Sequence, residues 1–88
     1  MQFTLEIINA KGLHARASAK FGETVERFDA IARVRRDGME VSGDSIMGLM
    51  MLAASPGCCI RVGASGADAV AVLDALQELI ADKFGKEI

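Results

Sequence analysis

The apolar residues of this chain switch repeatedly between an every-other-residue period and a helical period, and the order of those switches is what most narrows its choice of fold. Phe3-Thr-Leu-Glu-Ile7 alternates apolar and polar, as a half-buried strand does. A polar stretch follows from Asn9 to His14, with the turn-prone Gly12 inside it. From Ala15 to about Phe28, the residues Ala17, Phe21, Thr24, Val25 and Phe28 recur at helical spacing. Ile31 to Arg36 is the next strand, with Ala32 and Val34 on one face and Arg33 and Arg35 on the other. Asp37-Gly38 is a two-residue hairpin signal leading into a short strand, Met39 to Ser42.

Gly43-Asp-Ser45 supplies capping chemistry for a second helix, Ile46 to about Ala54. Pro56 and Gly57 end that segment, since proline cannot continue the ladder and glycine turns the chain. Cys59 to Ala64 alternates again, placing Ile60, Val62 and Ala64 together. After Gly66 comes a last amphipathic helix of roughly 17 residues whose stripe is Ala69, Val72, Leu73, Leu76, Leu79 and Ile80, with Gly85 just beyond. The order is β-α-β-β-α-β-α. Strands with one apolar face, interleaved with amphipathic helices, predict an α+β fold: a four-stranded antiparallel sheet with three helices packed on one side.

A chain of 88 residues has room for one core, so residues 1–88 are expected to form a single domain. Hydrophobic residues make up 51% of it, enough for that core without staples. A net charge of −2 argues against a nucleic-acid surface, and four Phe with no Trp or Tyr leave no stacking platform for bases or sugars. No apolar run approaches the roughly 18 residues that a membrane span needs, and the N-terminus lacks a basic region before an apolar one. Cys58 and Cys59 are adjacent, cannot staple distant parts of a fold, and match no zinc spacing. Reduced thiols and a cytoplasmic location are the expectation. One His and two adjacent Cys make no metal shell, and no cofactor is implied.

The single histidine, His14, stands between the Gly12 turn and the start of a helix. The first turn of a helix presents N–H groups with no internal partner, and the macrodipole places partial positive charge there. Phosphate binds such ends readily. With His14 as N-cap, the N–H groups of Arg16 and Ala17 would point toward the ring and anything attached to it. Arg16 adds a guanidinium able to grip phosphate oxygens through two parallel hydrogen bonds. Phosphoryl transfer needs little from a protein beyond positioning and charge stabilisation, and these parts supply both.

Gly12-Leu-His-Ala-Arg16, followed by Ser18-Ala-Lys-Phe21, resembles the active-site signature of the histidine-containing phosphocarrier family, HPr, of the bacterial phosphoenolpyruvate-dependent phosphotransferase system. A second block, Gly43-Asp-Ser-Ile-Met-Gly-Leu-Met-Met51, resembles that family's regulatory-serine segment. The resemblance covers nearly the whole chain. It implies an open-faced β-sandwich and a phosphoryl carrier rather than an enzyme. It makes His14 the residue phosphorylated, on the ring nitrogen nearer the backbone, and Arg16 the phosphate-stabilising partner. The implied donor is enzyme I and the implied acceptors are IIA components, with the carrier a monomer. Ala17 stands where most members have proline, Lys11 where Asn or Ser is common, and Glu23 and Glu26 where some relatives are basic. These departures bear on partner choice more than on chemistry.

Residues 46–54 are apolar all round, a pattern that normally means full burial, and a domain this small can hardly bury such a helix completely. Leu49, Leu52 and Ala53 share one arc; Ile46, Met47 and Met50 share another. The resemblance places the second arc outward beside His14 as a partner-docking surface, where flexible methionines suit several partners in turn. Ser45 reads first as the helix N-cap. The resemblance adds regulatory phosphorylation of Ser45 by an HPr serine kinase/phosphorylase.

Three functions fit these observations. The chain could feed carbohydrate uptake, serve a regulatory, nitrogen-related phosphotransferase branch in which no sugar moves, or bind targets through its methionine-rich helix without a phosphohistidine. The segment Gly48 to Ala54 and the missing proline lean toward the regulatory branch.

Overall fold

The computed structural model describes residues 2–86. The elements are β1 (Gln2–Glu6), α1 (Ala15–Glu26), β2 (Ile31–Arg36), β3 (Met39–Ser42), α2 (Ile46–Met51), β4 (Cys59–Ser65), α3 (Ala69–Ala81) and a short terminal turn, α4 (Lys83–Lys86). The strands form one antiparallel sheet in the order β1-β4-β2-β3. Asp37 and Gly38 make the hairpin between β2 and β3, both at positive φ (51° and 81°), the backbone that matches the twist of a two-residue hairpin.

The strand alternation decides which side of the sheet is covered. Ala32, Val34, Ile60 and Val62 point inward and are buried, whereas Arg33, Arg35, Cys59 and Arg61 point out and are exposed. Phe21 and Val25 of α1, and Val72, Leu73, Leu76 and Ile80 of α3, close over the inner face. The result is the expected open-faced arrangement. Fully burying an aliphatic or aromatic side chain contributes roughly 1.5–3 kcal/mol, and this one layer of contacts holds the domain.

The observed elements depart from the sequence reading at their ends. Sheet pairing of β1 stops at Glu6 rather than Ile7, although Ile7 still donates to the Cys58 carbonyl (2.8 Å) and accepts from the Gly57 N–H (2.8 Å). Helix α1 ends at Glu26 rather than near Phe28, because Arg27 and Phe28 bond three residues back, to Thr24 and Val25, in a tightened last turn. Helix α2 ends at Met51 rather than near Ala54, since Ala53 adopts a left-handed φ of 53°. That break takes Ala53 out of the expected inward arc: it is exposed, while Leu49, Leu52 and Ala54 are buried.

The last helix, expected to run roughly 17 residues up to Gly85, stops at Ala81, and the separate turn α4 takes the place of its end. Lys83, Phe84, Gly85 and Lys86 all have positive φ, so the chain reverses just after α3. That reversal carries Phe84 back into the core, where it is fully buried.

Candidate functional site

Gly12 sets the approach to the site. Its φ is +64°, and a Cβ there would lie 2.3 Å from the Ala54 carbonyl oxygen. Only glycine meets both demands. The close passage lets Leu13 donate its N–H to that same carbonyl at 2.9 Å, pinning the segment before α1 to the chain leaving α2. Leu13 is itself buried.

The end of α2 is anchored in turn by Arg36. Its Nη1 donates to the Leu52 carbonyl at 2.8 Å, supplying a cation and a donor where helix carbonyls lack partners. Nη2 donates to Cys58 Sγ at 3.3 Å. Hydrogen bonds from Ser55 hold the Cys58 thiol below its ordinary value, burial opposes them, and Arg36 adds to the lowering. Cys58 is half-buried and Cys59 exposed, and both are free thiols.

Asn9 closes the turn from inside. It is fully buried, donates from Nδ2 to the Gly12 carbonyl at 2.9 Å, and its own carbonyl accepts the Gly12 N–H at 3.3 Å. Its Oδ1 has no partner among the described residues. The sequence reading missed Asn9. The signal was an Asn three residues before a turn glycine, a spacing at which the side chain can bond back to the backbone.

His14 is the N-cap of α1, with extended backbone (φ −74°, ψ −178°) and a half-exposed ring. Its carbonyl accepts the first helical bond from Ser18 N–H at 2.8 Å, and Ser18 Oγ donates to the Leu13 carbonyl at 3.2 Å. The Arg16 backbone N–H donates to His14 Nδ1 at 3.2 Å. An accepting ring nitrogen carries no proton, so a neutral ring in this pose holds its proton on Nε2 and keeps the Nδ1 lone pair toward the helix end. Arg16 is exposed, and Ala17, the third residue of the helix, is buried.

Ser45 is the N-cap of α2, its Oγ accepting from Gly48 N–H at 3.0 Å and its carbonyl from Leu49 N–H at 2.9 Å. Gly48 also allows α2 to lie against β3, since a Cβ there would meet Val41 Cβ at 2.9 Å. Beyond Ser45, Ile46 is 44% exposed, Met47 75% and Met50 44%. Met51, which the sequence reading did not include, is 64% exposed and extends the same apolar surface.

Helices α1 and α2 run antiparallel. Leu13, at the start of α1, meets Ala54 beyond the end of α2; Gly22, two turns along α1, passes the Asp44 backbone before the start of α2. His14 and Ser45 therefore stand at opposite ends of the pair, about 12 Å apart along the α1 axis at 1.5 Å per residue. The exposed side chains of α2 lie between them. Among the described residues no group of three or more His, Cys, Asp or Glu could hold a metal ion, and no helix is long and apolar enough to cross a membrane.

A half-exposed imidazole capping a helix, its inner nitrogen lone pair held at the helix end, on a four-stranded open-faced sandwich, defines a class of small histidine-bearing domains. Residues 1–82 match the family model described as the PTS HPr component phosphorylation site. The phosphocarrier protein HPr of Neisseria meningitidis is 47% identical over 83 residues, covering 94% of this chain and 93% of that one. HPr from Xylella fastidiosa is 40% identical and covers 99% of this chain and 98% of its own length. The crystal structure of HPr from Thermoanaerobacter tengcongensis superposes with a TM-score of 0.94 at 40% identity, covering 100% of this chain and 99% of that one. This chain belongs to the HPr family of phosphotransferase-system phosphocarriers, which carry a phosphoryl group and are not enzymes.

Proposed function

We propose that His14 accepts a phosphoryl group on Nδ1 from phosphorylated enzyme I and passes it to IIA components. The Nδ1 lone pair forms the new N–P bond as the donor's N–P bond breaks, and the departing electron pair returns to the donor nitrogen. The N–H groups of the first turn of α1 and the Arg16 guanidinium meet the charge on the three phosphoryl oxygens. The observation that carries this reading is the Arg16 N–H···Nδ1 bond, in which Nδ1 is the accepting atom and the ring is aimed at the helix end.

Ile46, Met47, Met50 and Met51 make the docking surface between the two ends of the helix pair. Ser45 is the regulatory residue, open to a serine kinase/phosphorylase. The protein acts as a monomer in the cytoplasm, consumed and regenerated by its partners. Incubation with enzyme I and phosphoenolpyruvate should load one phosphate per chain, labile in acid and stable in alkali, and the His14→Ala variant should take none. Stoichiometric loading of that variant would overturn the assignment.

A further inference from the structure

The side of the sheet facing away from the helices breaks a rule of strand pairing. Arg35 of β2 lies directly opposite Arg61 of β4, and like charges opposite each other destabilise a strand pair. On the other side of β2, Glu40 compensates Arg35 at 2.7 Å and reaches Arg33 at 3.6 Å. Among the described residues Arg61 has no carboxylate within ion-pair distance. The next rung adds an empty place. Gly63 faces Arg33 on one side and Gln2 on the other and itself contributes no side chain to the middle of this surface.

The outcome is a depression of about 280 Å³ with Gly63 in its lining and Arg33, Arg35 and Arg61 around it, against one carboxylate, Glu40. Gln2 and Ser65 contribute polar groups, and Ile31, 61% exposed, an apolar edge. The protein as a whole is acidic, so this positive concentration is local.

From this arrangement we infer that the open face binds a small organic phosphate monoester. Guanidinium forks match the paired oxygens of a phosphate, the absent side chain at Gly63 leaves it space, and Ile31 meets the carbon skeleton. The volume is just under the usual range of ligand sites, which suits a compact metabolite. An anion seated there relieves the Arg35–Arg61 repulsion. The site lies across the sheet from α1 and α2, so occupancy leaves His14 and the methionine surface uncovered.

Amide NMR shifts of the full chain, titrated with 3-phosphoglycerate at low ionic strength, test this. Saturable shifts are expected at Arg33, Arg61, Gly63 and Ser65. Arg61→Gln should weaken the apparent affinity by about tenfold, the scale of one lost charge-assisted contact. Gly63→Val fills the depression with a residue that strands favour, and should abolish the shifts with the fold intact. Glycerate, lacking the phosphate, should bind at least about tenfold more weakly. Shifts confined to the first turn of α1, an equal response to chloride at matched ionic strength, or wild-type affinity in both variants would each refute the site. The readout does not depend on phosphoryl transfer, so it stands or falls separately from the role of His14.

Discussion

A Cβ on Gly12 would stand 2.3 Å from the carbonyl oxygen of Ala54, so the turn that presents His14 touches the chain leaving α2 backbone to backbone. The Leu13 N–H···Ala54 bond completes the contact, and Arg36 fixes the other side of it through Leu52. The turn that carries the imidazole is thus held against the end of α2 by these bonds.

Gly12→Ala should therefore be severe for so small a change. It combines a left-handed backbone with a clash against another backbone, and should cost more than about 2 kcal/mol in urea unfolding. Phosphoryl acceptance should fall further than stability explains, because the His14 turn must move away from Ala54. Wild-type stability in this variant would mean that the close contact is not a constraint.

Asn9 gives a contrast between two substitutions. Asn9→Ala loses the bond to the Gly12 carbonyl but also removes the unpartnered Oδ1, so the net loss should be about 1 kcal/mol. Asn9→Asp replaces the donor with an acceptor facing that carbonyl, in a fully buried place. Burial disfavours the charged form and raises the folded-state pKa of the new carboxyl above its unfolded value. Its neutral form is then the tolerated one, and stability falls as pH rises through the unfolded pKa toward neutrality. Urea midpoints of the two variants at acid and neutral pH check this; an Asp variant insensitive to pH would contradict it.

Ala17 occupies the third helical position, within the first turn whose N–H groups have no partner in the helix. A proline there would remove one donor without breaking the helix. Ala17→Pro should shift the equilibrium between loaded carrier and loaded enzyme I toward the donor by about fivefold, the worth of roughly one hydrogen bond to a charged group after screening. Quench-flow measurement of the two directions gives the constant. An unchanged constant with the fold intact would show that this N–H does not reach the phosphoryl oxygens.

Ser45 separates stability from transfer. Ser45→Ala removes the cap on Gly48 N–H and should cost about 1 kcal/mol. Ser45→Asp keeps an acceptor at the helix start, welcomed by the dipole although Asp44 opposes part of it, so melting should change little. Transfer from enzyme I should nevertheless slow strongly in the Asp variant. A direct effect on His14 is largely screened, because about 12 Å exceeds the screening length of roughly 8 Å at physiological ionic strength. The main effect is expected at the proposed docking surface, where a partner covering Ile46, Met47 and Met50 would desolvate the new charge at a cost. A wild-type rate in Ser45→Asp, or a loss fully accounted for by unfolding, would refute this.

Most of the architecture was legible because local rules and tertiary structure agree here. Alternation at Ala32 and Val34, helical spacing at Phe21 and Val25, and Asp37-Gly38 at the hairpin each pointed to what formed. His14 and Ser45 were legible as caps for the same reason. What could not be read depends on contacts distant in sequence. Ala53 turns left-handed where the chain must carry the Ala54 carbonyl to Leu13, and no propensity of alanine announces that. Phe84 enters the core only because Lys83 and Phe84 adopt positive φ, which neither residue favours. Met51 is different: it stands one turn after Met47 on the same exposed arc of α2, so helical spacing does place it there, and the sequence reading left it out.

The central claim is that the helix end prepares Nδ1, and not Nε2, of His14 for the phosphoryl group. ¹⁵N and ³¹P NMR of the loaded protein, with its single histidine ring labelled, reads this directly. The account predicts phosphorus coupling to Nδ1, together with a large shift of the Arg16 amide as its N–H passes from the ring nitrogen to a phosphoryl oxygen. Coupling to Nε2, with the Arg16 amide where it stands in the unloaded protein, would contradict it.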